Sequence, residues 1–330
     1  VNRSFLISLP VALILVFAGF WRPPNSSSDY DSAHWIESGL ARERAGDLIG
    51  AERDLFRAAE FDRLFQPSWT LAGFYFRWGN DAQFWFWARR ALAVGRRDLG
   101  ALFDLCWQTG AGSTEIWNRT MPDRKQVWDE YLFYLMTSGR WAAAASVAGR
   151  IATVAEPADV PLLTNYTDLA IDHSDRSSAY AVWQSLCSRG LLQFRCSLLS
   201  NGNFRVPPSG HGFDWRAYPT FSVSASFRNS RARIDLGGNE PDLVTLLEQR
   251  LFLDQNKTYR LTFEYQGGHP GIHWEAGDSR SRELSSVELT RAEFEFPGSA
   301  ESLSLVYSRP SGVSNADGPV SIRNVELLPK

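Results

Sequence analysis

Cysteine is scarce in this chain. Only Cys106, Cys187 and Cys196 occur among 330 residues, which excludes a disulfide framework as the source of the fold. Basic charge is not in surplus either. The formal net charge is −3, so the chain lacks the electrostatic footprint of a nucleic-acid binder, and no nucleic-acid partner is expected. No Gly-x-Ser-x-Gly elbow presents a nucleophile, and no Gly-rich loop is built to cradle phosphate. His34 and His173 stand without a catalytic partner in sequence. Glu293 and Glu295 alternate with Phe294 and Phe296, so they read as the wet side of a strand and not as a glycosidase pair. The chain is therefore read as non-enzymatic, with no catalytic residues and no cofactor.

Aromatic residues are plentiful, at 13% of the chain. Ten of the thirteen Trp lie between Trp35 and Trp183, where they serve either as core or as a binding cradle. Cys187 and Cys196 flank the end of this Trp-rich region. They either pair across a short loop in an oxidising compartment or remain ordinary thiols, while Cys106 packs as a small hydrophobe.

At the N-terminus, Ser4 to Trp21 carries no charge and is just long enough to span a bilayer as a helix. Val16-Phe17-Ala18 also offers small residues suited to a processing site, so a retained anchor and a cleaved signal peptide both fit. Either one places the rest of the chain outside the cytoplasm. The expected location is the bacterial inner membrane, single-pass, with the bulk in the periplasm. Residues 1–24 form this segment, and the Ser-rich residues 25–32 form a stalk.

Residues 33–198 have helical rhythm. Trp69 follows Trp35 by 34 residues and Gly73 follows Gly39 by the same interval, the period of a helix-turn-helix repeat. A third copy starts at Trp128 and runs through Tyr131, Leu135, Gly139-Arg140 and Ala144; a fourth, from Leu163 to Leu186, is degenerate. Large residues on the first helix of each pair meet Ala on the second, and the bare faces oblige neighbouring pairs to stack. This half resembles tetratricopeptide repeat proteins. The resemblance implies an α-solenoid that docks a protein partner, with Phe76, Arg77, Trp78 and Tyr134 as groove candidates on first helices. The run Phe84-Trp85-Phe86-Trp87 is apolar on every side and is expected to be buried, or else to rest against a partner or a membrane.

The rhythm changes between Ser200 and Trp215, a stretch holding Asn201-Gly202 and Pro207-Pro208. Beyond it, short alternating runs such as Phe221–Phe227 and Arg231–Leu236 are separated by Gly, Pro, Asn and Asp, so residues 199–330 read as an antiparallel β-sandwich. The fold class is thus multidomain α plus β: a membrane helix, a solenoid and a jelly roll. Asn201-Gly202-Asn203-Phe204, Gln249, Tyr259–Phe263 and Gly318–Leu327 give the second half a resemblance to family 4/9 type carbohydrate-binding modules. That resemblance implies a glycan partner held by stacking rings, for which Trp215, Tyr218, Trp274 and Tyr307 are the candidates. It also implies a structural calcium, but Arg205 and Arg323 stand where its acidic ligands belong. No calcium is expected there, and ion pairs from these arginines replace it. His269, His273, Glu275 and Asp278 fit no zinc spacing and read as a loop leading into a strand.

Two functions follow. One is a membrane-anchored, extracytoplasmic scaffold serving envelope polysaccharide assembly or export. The other is a purely structural subunit whose β domain caps the solenoid and binds no sugar.

Overall fold

The computed structural model describes residues 31–330 apart from 97, 195 and 313–315. The expected membrane segment, Ser4–Trp21, lies outside the described residues. No helix among the described residues is long and apolar enough to cross a membrane. The chain forms two compact units, the first ending at Val94 and the second running Gly95–Lys330.

The first unit contains two helix pairs, α1 (Ser32–Arg44) with α2 (Leu48–Phe61), and α3 (Phe65–Trp78) with α4 (Asp81–Val94). Asp31 and Asp47 start their helices by accepting the His34 and Gly50 amides at 2.9 Å, satisfying donors that have no partner within the helix. Gly79 ends α3 in the left-handed conformation (φ +73°) that residues with a Cβ avoid. The pairs pack closely because small residues meet large ones. A Cβ at Gly39 would lie 2.7 Å from Leu55, while Ala51 and Ala58 are fully buried. Asp54, also buried, accepts from Ser38 at 2.7 Å and Arg42 at 2.8 Å and so ties α2 to α1. In the apolar run, Phe84, Trp85 and Trp87 are inside, whereas Phe86 is 56% exposed.

The second unit opens with six helices: α5 (Gly100–Gln108), α6 (Ser113–Thr120), α7 (Lys125–Thr137), α8 (Trp141–Thr153), α9 (Val160–Asp172) and α10 (Arg176–Ser188). The α5/α6 pair interrupts the repeat between the copies read from Trp69 and Trp128. The ten α-helices among the described residues are consistent with a helical repeat. Tyr131 and Leu135 of α7 and Ala144 and Ala148 of α8 are all buried, the large-against-small arrangement again.

One carboxylate sits badly in this layer. An oxygen of Asp129 is buried with no hydrogen-bond partner, and burial, with Asp159 nearby, pushes its carboxyl up to about 6. A carboxyl raised in the folded state costs stability as pH rises from its unfolded value towards 6. Asp129→Asn should therefore melt higher than the parent at pH 7.5, by on the order of 1 kcal/mol after discounting for partial solvent exposure, and show little difference at pH 4. Thermal melts at the two pH values check this; equal differences at both would show that Asp129 carries no such penalty.

Cys187 and Cys196 are joined as a disulfide with Cα atoms 5.8 Å apart, and Cys106 is buried and free. The sandwich follows. One sheet has the order β1 (Trp215–Ala217), β4 (Leu243–Arg250), β9 (Ser302–Ser308), β6 (Ile272–Ala276), β7 (Ser279–Arg280). The other runs β2 (Val223–Arg228), β3 (Arg231–Gly237), β10 (Asp317–Pro329), β5 (Thr258–Gly268), β8 (Ser285–Pro297), and every pairing in both sheets is antiparallel.

The Ser200–Trp215 stretch is packed at both ends, while most of residues 205–211 between them lie at the surface. Ser200, Asn201, Phe204, Phe213, Asp214 and Trp215 are all buried. Gln249 of β4, fully buried, donates to the Ser200 carbonyl at 2.9 Å and the Phe213 carbonyl at 2.7 Å, clasping both ends of the crossing. Gly202 accepts from the Val325 amide at 2.8 Å, and a Cβ there would meet the Val325 carbonyl. Asp168 of α9 accepts from His211 Nδ1 at 2.6 Å, the Gly212 amide at 2.7 Å and Arg216 at 2.7 Å. One helical turn later Asp172 meets Arg250 at 3.2 Å, and Arg176 of α10 pairs with Glu301 at 2.7 Å. Tyr180 stacks on Phe252, and Trp183 seats over Gly212, whose positive φ (+53°) and missing Cβ make room for the indole.

Candidate functional site

The four rings expected to hold sugar part company. Trp215, Trp274 and Tyr307 are fully buried. Trp215 lies 5.9 Å from Trp274, Trp274 lies 5.7 Å from Phe263, and the Tyr307 hydroxyl accepts the Ala316 amide at 3.1 Å. The sequence reading is corrected here. Alternation along β1, β6 and β9 turns these rings inward, so none presents a face to a ligand. Tyr218, just past β1, is 40% exposed, and its hydroxyl donates to Glu248 at 2.5 Å.

Register explains what lies around Tyr218. Leu247, Leu305 and Trp274 pair across β4, β9 and β6 on the inner side of the first sheet and are fully buried. One residue along each strand, the outer side carries an unbroken row: Arg216 opposite Glu248, Glu248 opposite Ser304, Ser304 opposite Glu275, Glu275 opposite Arg280. Glu248 and Glu275 stand two strands apart, about 9.6 Å at the backbone spacing of a sheet, with the Ser304 hydroxyl between them.

Each acid is held in place by a neighbour. Glu248 takes the Tyr218 hydroxyl, which burial and that same carboxylate push up to about 12, so it remains a donor. Glu275 takes His273 Nε2 at 2.8 Å, and His273, wholly buried, is fixed through Nδ1 on the Gly271 carbonyl at 2.8 Å. His273 and Glu275 share a strand face with Trp274 opposite, and His269 sits in the preceding turn. Arg216 is drawn away by Asp168, so α9 walls one end of the row. The result is an acceptor-rich surface with one fixed aromatic ring, chemistry that suits a ligand bearing many hydroxyl donors.

Arg323 pairs with Glu264 at 2.8 Å, as expected of it, whereas Arg205 is exposed and makes no ion pair among the described residues. The helical candidates fall on both units. On α3, Phe76 is half-buried at 5.7 Å from Phe84, Arg77 forms a two-pronged pair with Glu43 at 2.7 and 2.8 Å, and Trp78 is 41% exposed against Tyr75. Tyr134, on α7, donates to Asp104 at 2.6 Å. Three successive residues on a helix point about 100° apart, so Phe76, Arg77 and Trp78 do not line one groove together. Glu248, Ser304 and Arg280 escaped the sequence reading because what unites them is strand pairing, which no single strand announces.

No family model matches the chain, and no curated protein does. Among solved structures the sandwich is similar to one described as "CBM4 structure and function", at 16% identity over 40% of this chain and 99% of that one, with a TM-score of 0.30. It is also similar to "Family 16 Carbohydrate Binding Module-2", at 15% identity over 40% and 99%, TM-score 0.29. A third, "Carbohydrate binding module family29", shares 12% identity over 33% of this chain and 74% of that one, TM-score 0.22.

Proposed function

We propose that this chain is a non-catalytic scaffold that holds a glycan on the outer side of its first sheet while its helix pairs, a tetratricopeptide-like solenoid, dock a protein partner. The cross-strand row Glu248–Ser304–Glu275, with Tyr218 beside it, is the observation that carries the glycan half. Fixed carboxylates accept hydroxyl donors without first being ordered, which lowers the cost of binding. Anchorage through Ser4–Trp21 and a place outside the cytoplasm in envelope polysaccharide assembly or export belong to the same proposal. The Cys187–Cys196 disulfide supports an oxidising compartment.

A second reading has its own observation. Trp215, Trp274 and Tyr307 are core, and Asp168, Asp172 and Arg176 fasten the sandwich to α9 and α10, as a purely structural cap requires. A glycan array on the full chain, followed by calorimetry of any hit, separates the two. Glycan binding that falls at least tenfold in both Tyr218→Ala and Glu248→Gln supports the first. No retained glycan, or binding indifferent to both changes, leaves the cap.

A further inference from the structure

The side of the first unit formed by the second helices of its two pairs carries an apolar concavity. Phe56 and Ala59 of α2 and Phe86 and Trp87 of α4 line it, with Glu60, Arg63 and Arg90 around them, enclosing about 240 Å³. Its aromatic rings are set against one another: Phe56 and Phe86 each stand edge-on to Trp87, at 5.5 and 5.2 Å. The Arg90 guanidinium lies 5.2 Å from the Trp87 ring and so stays beside the opening. Phe86 is 56% exposed, and Phe61 and Leu64, either side of Asp62 and Arg63, are 63% and 67% exposed. Exposed apolar groups gathered in this way mark an interaction surface.

Size and charge restrict the occupant. The volume is below the roughly 300–1,000 Å³ of small-molecule pockets, and suits one large apolar side chain. Two arginines face one glutamate around the opening, so the surroundings of that side chain are favoured when acidic. We infer that this concavity docks a protein segment that inserts a single aromatic or leucine side chain flanked by Asp and Glu. The site is on the second helices, away from the first-helix residues Phe76, Arg77 and Trp78, and it does not depend on glycan binding.

The test is fluorescence anisotropy with the full chain and three labelled peptides: Glu-Asp-Phe-Glu-Asp, the same peptide with Ser for Phe, and Lys-Arg-Phe-Lys-Arg. The acidic Phe peptide should bind at least tenfold more tightly than either control and weaken as salt rises. Phe86→Ser and Arg63→Glu, both at exposed positions, should each reduce that binding about tenfold, whereas Tyr218→Ala should leave it unchanged while acting on glycan alone. Equal binding of the three peptides, or indifference to both variants, overturns the inference. So does light scattering that shows a dimer abolished by Phe86→Ser, which would give the surface to a second copy.

Discussion

Trp274→Ala is expected to destabilise the sandwich by roughly 3–5 kcal/mol, the usual cost of emptying a large buried aromatic site. The indole is fully buried against Trp215 and Phe263, and nothing in a close-packed interior can collapse to fill its place. Tyr218→Ala should cost only about 1 kcal/mol, because it removes a half-exposed ring and one hydrogen bond to Glu248. Urea unfolding followed by Trp fluorescence compares the two. A folded Trp274→Ala protein with parental stability would return that ring to the list of ligand-stacking surfaces.

Asp168→Ala should lower the stability of the second unit by about 2–4 kcal/mol. Three donors converge on that carboxylate, and its loss takes the 2.7 Å partner from Arg216, a largely buried guanidinium then left with the Gly212 carbonyl and the facing Glu248. Asp172→Ala, one turn away, removes a pair whose acid is 59% exposed and should cost under about 1 kcal/mol. Hydrogen exchange gives a second measure. In Asp168→Ala the amides of α9 and of Gly212 should lose protection together, and retention of protection in α9 would show that the helix does not depend on the sandwich.

Much of this architecture is legible in the sequence because its signals are local. Gly46, Gly79 and Gly139 adopt positive φ at the turns within helix pairs, Gly139 where the repeat placed it, and the last helix ends at Ser188 with the first strand starting at Trp215. The α5/α6 pair escaped because helices of nine and eight residues are too short to carry the Trp-to-Ala pattern. Phe86 differs from its neighbours for the opposite reason. An unbroken apolar run has no phase, so only packing decides which residue faces out. The core rings misled because an aromatic on an alternating strand reads the same whichever side is wet. The cross-strand row was beyond reach, since it joins residues 216, 248, 304, 275 and 280 through five strands whose order in space is not their order in the chain.

The clasp at Gln249 has a mechanical consequence. Ser200 and Phe213 are pinned to β4 and Gly202 to the last strand, so the crossing between helices and sheets is tied to the sandwich at three points. A pull applied to the outer side of the first sheet would therefore pass to α9 and α10 through Asp168, Asp172 and Arg176 and not through a flexible tether.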